Sequence, residues 1–314
     1  MVDESDSNIT ENPDCMHVVR PVSGDINVIS PLSFFSCEKT SSTSNSPVKC
    51  LLILNQEIHL PFKFFDRLWK STSIRICADG GANRLYNYSR QNSVLNEYTP
   101  NYIVGDLDSL IDPVRDYYLS QGTRIKKQGS QFYSDLDKSI ALIDLLVNFP
   151  SVDVSKLDDY SGLEKTEVDR IKGQDRPFFK QIFLLVVGGI GGRFDQTIAT
   201  ISRTIQSLSQ RPFIDFILLN SEHAEFVLLL PKGKNFIDFP TEKGFMDEDR
   251  GDNPRNVGLL PLSGPANVTT KGLKWDVQDW RTEMIGDLSL CNYQVGDNGI
   301  YLGTSSELFV NIEF

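Results

Sequence analysis

Four short polar clusters carry the residue types that phosphate and metal chemistry use. They are Asp79-Gly80-Gly81-Ala82-Asn83-Arg84, Gly105-Asp106-Leu107-Asp108-Ser109, Ser134-Asp135-Leu136-Asp137-Lys138, and Gly188-Gly189-Ile190-Gly191-Gly192-Arg193-Phe194-Asp195-Gln196. In the first, paired glycines let the backbone approach a ligand and offer N–H groups at a helix start, which suits an anion. In the second, Asp106 and Asp108 stand two apart in a loop and can point at one cation, and carboxylate oxygens suit Mg²⁺. In the third, Ser134 and Asp137 have the spacing of a capping box. That leaves Asp135 and Lys138 one helical turn apart on one face, a carboxylate for a metal beside an ammonium for a phosphate. The fourth is not a Walker A loop, because no Gly-Lys-Ser/Thr follows. Nor is it a dinucleotide fingerprint, because Phe194 stands where the third glycine belongs. Its glycines form a loop that delivers Arg193, suited to bidentate phosphate contact, and Asp195 to a helix start.

Each cluster follows a strand-like apolar run and precedes a helix-like stretch. The runs are KCLLILN (49–55), IRICA (74–78), NYIVG (101–105), TRIKK (123–127), QIFLLVVGG (181–189) and FIDFILLN (213–220). Between them PFKFFDRLWKS, GANRLYNYSRQ, DPVRDYYLSQG, SDLDKSIALIDLLVNF and RFDQTIATISRTIQSL read as helices. The last presents Phe194, Ile198, Ile201, Ile205 and Leu208 as one apolar face. Alternating strands and helices predict a doubly wound, mostly parallel α/β domain over residues 48–220. In such a sheet the four clusters converge on the carboxyl edge, where ligands bind.

From residue 221 the texture turns to short strand-like runs punctuated by Gly, Pro and Asn. This predicts a C-terminal all-β sandwich domain over 221–314, with EFVLLLPKGKNFIDF as a hairpin about Pro231-Lys232-Gly233. Residues 1–47, serine-rich and acidic, read as a weakly ordered extension, dispensable for catalysis, with one strand near Asn27–Ile29. Residues 151–180 hold seven acidic and six basic residues and read as a solvated surface insertion.

The 314 residues carry a formal charge of −11. That balance argues against nucleic acid and anionic lipid as partners. The five cysteines, at 15, 37, 50, 77 and 291, form no CxxC, and Cys50 and Cys77 fall in core-like runs. This points to a reducing, cytoplasmic compartment. No apolar run reaches the ~20 residues that span a bilayer, so no membrane association is expected. Three histidines without metal-ligand spacing leave acid–base and metal chemistry to the carboxylates.

DGGANRLY, GDLDS, SDLDK and GGRFDQ, in this order and followed by a β-rich tail containing VTTKGLKWDV, resemble the thiamine pyrophosphokinase family over roughly residues 48–314. The long N-terminus and the insertion resemble fungal members. The resemblance implies transfer of a diphosphoryl group from ATP to the hydroxyethyl group of thiamine, giving thiamine diphosphate and AMP with Mg²⁺ as cofactor. It also implies a homodimer in which each site lies between the α/β domain of one subunit and the β domain of the other. Carried over residue by residue, Asp106, Asp108 and Asp135 would hold the metal and the triphosphate. Asp79 and Asn83 match the first motif, Ser134 and Lys138 the third, and Gly191, Gly192, Arg193, Asp195 and Gln196 the glycine-rich one. Trp275 matches the tryptophan of GLKW. Ser305 is carried over as a thiamine contact, although Ser305-Ser306 departs from the Ser-Asn that the family often has there. The proton acceptor for the attacking hydroxyl is either Asp135 or Asp195. The same inventory also fits a kinase that moves only a γ-phosphoryl group and releases ADP, or a non-enzymatic nucleotide or thiamine sensor.

Overall fold

A computed structural model describes residues 8–20, 26–35, 46–173, 179–239 and 254–313. The chain divides into two compact units, Phe34–Glu222 and the pair of segments Met1–Ser33 and His223–Phe314. In chain order the first elements are two short strands, β1 (Ile9–Glu11) and β2 (Ile26–Ile29), both in the second unit.

The α/β unit follows as β3 (Val48–Ile53), α1 (Phe62–Ser71), β4 (Ile74–Ala78), α2 (Gly81–Gln91), β5 (Tyr102–Gly105) and α3 (Asp112–Ser120). It continues with β6 (Arg124–Lys127), α4 (Asp135–Asn148), α5 (Gly162–Lys172), β7 (Ile182–Val187), α6 (Phe194–Gln210) and β8 (Ile214–Asn220). The strands pair in parallel in the order β8-β7-β3-β4-β5-β6. Successive connections run one way from β3 to β6, then jump back to β7, so the order reverses between β3 and β7. That reversal is where doubly wound sheets open a crevice beyond their carboxyl ends. Runs such as Cys50-Leu51-Leu52-Ile53 and Leu184-Leu185-Val186-Val187 are fully buried, as strands covered on both faces must be.

Residues 151–180 do not behave as a solvated insertion. They build a 3₁₀ turn at Val154–Lys156 and then α5, which packs on α4 and buries Leu163, Glu164 and Glu167. Residues 174–178 of this stretch lie outside the described residues. Glu167 is tolerated here because Arg211, at the end of α6, grips both of its oxygens.

Behind that pair sits Asp144 of α4, fully buried, with Oδ1 accepting from Asn148 Nδ2 at 2.7 Å. Burial, reinforced by the charge of Glu167, pushes its carboxyl up to about 7. An unfolded Asp titrates near ~3.9. Between those values the folded state keeps a proton that the unfolded state has lost, so stability falls as pH rises. The slope approaches ~1.4 kcal/mol per pH unit at its steepest. Asp144→Asn, which stays neutral, is expected to flatten the loss of melting temperature between about pH 4 and about pH 7. Parallel profiles for variant and wild type would show that Asp144 is not the titrating group.

Helix α6 also departs from expectation. Its buried residues are Thr200, Thr204 and Ser207, while Phe194 is 78% exposed and Ile198 48% exposed. Small side chains let the helix lie close on β8 and α4. The start of the apolar stripe, Phe194 and Ile198, therefore points outward, while Ile201, Ile205 and Leu208 are half-buried.

The second unit continues with β9 (Glu225–Leu230), β10 (Gly233–Asp238), β11 (Asn256–Leu260), β12 (Ala266–Lys271), β13 (Trp275–Val277), β14 (Trp280–Thr282), β15 (Ser289–Tyr293), β16 (Gly299–Thr304) and β17 (Leu308–Glu313). Antiparallel pairing gives β15-β11-β17-β9, and a second sheet runs β14-β12-β16-β10-β2. The predicted hairpin is not one. β9 pairs with β17, whereas β10 pairs with β16 and β2, so Pro231-Lys232 is a corner at which the chain changes sheet.

The N-terminal segment is likewise more than a loose extension. β2 adds in parallel to β10, and β1 pairs antiparallel with β13. Asn12 donates to Leu273 O and to Asp276, a buried carboxylate that also accepts from Thr270 Oγ1 and from the Gly272 and Leu273 N–H groups. Residues 1–7, 21–25 and 36–45, with Cys37 among them, lie outside the described residues. The strand near Asn27–Ile29 is legible because Ile26, Val28 and Ile29 make a short β-branched run. β1 is not, because Ile-Thr-Glu is exposed throughout and is held by backbone pairing with β13 and by one surface ion pair, Glu11 Oε1 3.4 Å from Lys274 Nζ. Deleting residues 1–30 is therefore expected to destabilise the β unit by several kcal/mol, at roughly 1 kcal/mol per hydrogen bond removed. Calorimetry checks this. An unchanged unfolding profile would mean that these strands are ornamental.

Candidate active site

Three of the four clusters meet because β4, β5 and α4 deliver them to the same edge. Asp79 follows β4 with φ +42° and is buried. Its Oδ2 accepts from the Ser109 N–H at 3.0 Å and its Oδ1 from Leu110 N–H at 3.1 Å. Burial pushes its carboxyl up to about 6 against the pull of the Ser109 N–H, and the charge of Asp135 adds to the rise. Leu107, between the two loop aspartates, sits at φ +66°. A leucine held there marks a loop whose shape is imposed by its surroundings. Gly105 makes the approach possible, since a Cβ there would lie 2.8 Å from Asp79 Cβ and 3.1 Å from Asp135 Oδ1.

Asp79, Asp106 and Asp135 each bring a carboxylate oxygen within 4.8 Å of the others. The trio expected from sequence is Asp106, Asp108 and Asp135. Asp108 stands outside the cluster, on an exposed turn where its Oδ1 accepts from Ser109 Oγ at 3.0 Å. Lys138 is buried beneath the cluster, with Nζ 3.0 Å from Asp135 Oδ1 and 4.0 Å from Asp106 Oδ2. Burial raises the Asp135 carboxyl, and Lys138 offsets part of that rise. Gln131 Nε2 donates to Asp106 Oδ2 at 3.1 Å.

The remaining predicted residues divide by what they touch. Ser134 is the N-cap of α4 in a full capping box with Asp137. Asn83 spends both ends of its amide on the second cluster, donating to Ser109 O at 2.7 Å and accepting from Ile111 N–H at 3.2 Å. Arg193 and Asp195 are both exposed and bind each other through two hydrogen bonds. Arg193 holds the Asp195 carboxyl below its ordinary range.

A cleft of about 580 Å³ opens on this edge. Asp79, Asp106, Asp108, Ser134, Asp135, Gly191, Arg193 and Gln196 line it. So do Arg84, which closes the first cluster but has no role in the sequence reading, and three residues that the reading misses, Asn55, Gln56 and Arg203. Asn55 and Gln56 have a findable signal, since they end the first strand run and so occupy the same carboxyl edge as the four clusters. Arg84 Nε donates to Asn55 Oδ1 at 2.9 Å, and Arg203 Nε lies 3.4 Å from Asp137 Oδ2. They place two more guanidinium groups on an anion-sized cleft.

Trp275 and Ser305 belong to the β unit. Trp275 is half-buried with its ring centroid 5.1 Å from that of Tyr293, and Ser305 is exposed with Oγ accepting from Asn267 N–H at 2.8 Å.

Clustered carboxylates for a cation, with cationic side chains and a glycine loop for phosphates, at the order reversal of a doubly wound sheet, define a phosphotransferase type of site. Residues 65–214 match the family model for the thiamin pyrophosphokinase catalytic domain, and residues 245–309 that for the thiamin pyrophosphokinase vitamin B1 binding domain. Thiamine pyrophosphokinase of Saccharomyces cerevisiae is 36% identical over 277 residues, 84% of each chain. Among solved structures, thiamin pyrophosphokinase from Candida albicans superposes with a TM-score of 0.85 at 33% identity over 98% of both chains. The yeast enzyme does so with a TM-score of 0.84 at 29% identity, over 97% of this chain and 96% of that one. The chain belongs to the thiamine pyrophosphokinase family.

Proposed function

We propose that this protein is a thiamine diphosphokinase, transferring the β,γ-diphosphoryl group of ATP to the hydroxyethyl oxygen of thiamine to give thiamine diphosphate and AMP. The observation that carries the reading is the convergence of Asp79, Asp106 and Asp135 beside buried Lys138 in a cleft bordered by the glycine loop and Arg193. Family membership supplies the substrates.

The oxygen-only donor set fits Mg²⁺, a hard cation. The fit is supported by the strain of the set itself, since burial and mutual repulsion raise the Asp79 and Asp135 carboxyls. Asp79, Asp106 and Asp135 would hold the ion, and when bound it offsets negative charge on the phosphate oxygens. The chain's own residues do the rest. Lys138 anchors Asp135 and adds positive charge under the cluster. Arg193, whose Nε and Nη2 are held by Asp195, has its Nη1–Nη2 edge to present to the transferring group. The thiamine hydroxyl oxygen forms its bond to the β-phosphorus as the bond to the α-phosphate oxygen breaks, and AMP leaves with that oxygen. Of the two proposed proton acceptors Asp135 is favoured, because Arg193 occupies both oxygens of Asp195.

A homodimer is part of the proposal. The outward apolar residues Phe194 and Ile198 of α6 support it, as a surface that a second copy of the chain would cover. Thiamine contacts fall to Trp275 and Ser305 of the β unit. Cytoplasmic placement is supported by the free thiols of Cys15, Cys50, Cys77 and Cys291. Among the described residues no helix is long and apolar enough to cross a membrane. Incubation with ATP, thiamine and Mg²⁺ followed by chromatography tests the function. Thiamine diphosphate and AMP are expected in equal amounts, and ATP consumption that does not depend on thiamine would overturn the reading.

A further inference from the structure

Gln56 is absent from the four polar clusters, yet it sits at the order reversal of the sheet. β3 and β7 are neighbours in register, Ile53 opposite Val187, so the segment leaving β3 runs beside the glycine loop leaving β7. Leu54 N–H donates to Val187 O at 2.9 Å, and Gln56 N–H to Leu54 O at 2.8 Å. This turn aims the Gln56 side chain into the loop. With its amide oriented as its neighbours require, Nε2 donates to Gly188 O at 3.2 Å and to Ile190 O at 2.9 Å, and Oε1 accepts from Gly192 N–H at 2.8 Å. The other side of the loop is tied by Thr197 Oγ1, which donates to Gly191 O at 3.0 Å.

The glycines are shaped around this side chain. Gly191 and Gly192 have φ of +92° and +60°, and a Cβ at either would meet the Gln56 amide group at 2.9 and 2.8 Å. The loop is therefore not merely flexible. Its backbone is wrapped on one amide, and Arg193 follows immediately after the last wrapped residue.

We infer that Gln56 is a positioning residue, the brace that fixes the glycine loop so that Arg193 meets the phosphates at the right place and angle. The inference rests on the diphosphotransfer reading for its catalytic consequence, though not for the brace itself. All three polar positions of the amide serve the loop, so Gln56 acts through Arg193 rather than by touching substrate. Displacing a phosphate-binding group by about 1 Å costs up to about a hundredfold in rate.

Three measurements on the full-length protein test it. Gln56→Ala should speed amide hydrogen exchange across residues 188–193 while leaving the β6 and β8 amides unchanged. It should raise KM for ATP or lower kcat by about tenfold or more, with KM for thiamine unaffected. Gln56→Glu keeps the acceptor for Gly192 but sets a carboxylate oxygen against the Gly188 and Ile190 carbonyls, and should exchange in the loop at least as fast as alanine. The decisive arm is a cycle with Arg193→Ala, in which Gln56→Ala should cost almost nothing further. Additive losses would mean that Gln56 contacts substrate itself, and unchanged loop exchange would mean that it braces nothing. Either result overturns the inference. Failure of the function reading alone would appear differently, as a wild type without thiamine-dependent turnover whose loop exchange still responds to Gln56→Ala.

Discussion

Asp106→Asn should abolish measurable turnover, a fall of at least ~100-fold, while leaving the melting temperature of the metal-free protein unchanged or slightly higher. The two halves of this expectation have one cause. Asp79, Asp106 and Asp135 hold carboxylate oxygens within 4.8 Å of each other, and burial together with mutual repulsion raises the Asp79 and Asp135 carboxyls. Removing one charge relieves the repulsion and removes a cation ligand at the same time. The amide oxygen of the variant could still accept from Gln131, so the loop has no reason to collapse. Steady-state kinetics and calorimetry with and without Mg²⁺ check both halves. Normal turnover, or an unfolded variant, would remove Asp106 from the site.

Arg193→Lys should lower kcat by roughly a hundredfold, about 3 kcal/mol of transition-state stabilisation. Lysine keeps the charge and can keep the ion pair with Asp195, so folding is not at stake. It loses the planar fork, and a single ammonium cannot reproduce two oriented contacts to a transferring phosphoryl group. A rate within about threefold of wild type would place Arg193 away from the phosphates.

Both expectations are legible in the sequence because the α/β unit is built from local signals. IRICA and GANRLYNYSRQ coincide with β4 and α2 residue for residue, and Ser134 caps α4 as its spacing with Asp137 predicts. The carboxyl-edge rule then gathers the clusters without any distance being known. What escapes the sequence is whatever depends on a distant partner. Pro231-Lys232-Gly233 has hairpin chemistry, but β9 and β10 find better partners in β17 and β16. The 151–180 stretch has the charge of a solvated loop, and only the placement of Arg211 reveals why Glu167 is buried. The apolar face of α6 is present as a pattern, but its direction is not encoded there, since Thr200 and Thr204 make the buried contact. Asp79 rather than Asp108 completes the carboxylate cluster because its burial and its positive φ follow from neighbouring strands rather than from its own motif.

The measurement that bears most directly on diphosphoryl transfer is the fate of the β-phosphorus. ATP carrying a radioactive phosphorus label at the β position, incubated with thiamine and Mg²⁺, should pass that label to the thiamine product, and the nucleotide product should be unlabelled AMP. Label retained in ADP, with only the γ-phosphoryl group on thiamine, would contradict diphosphoryl transfer and make the protein a simple kinase on the same fold.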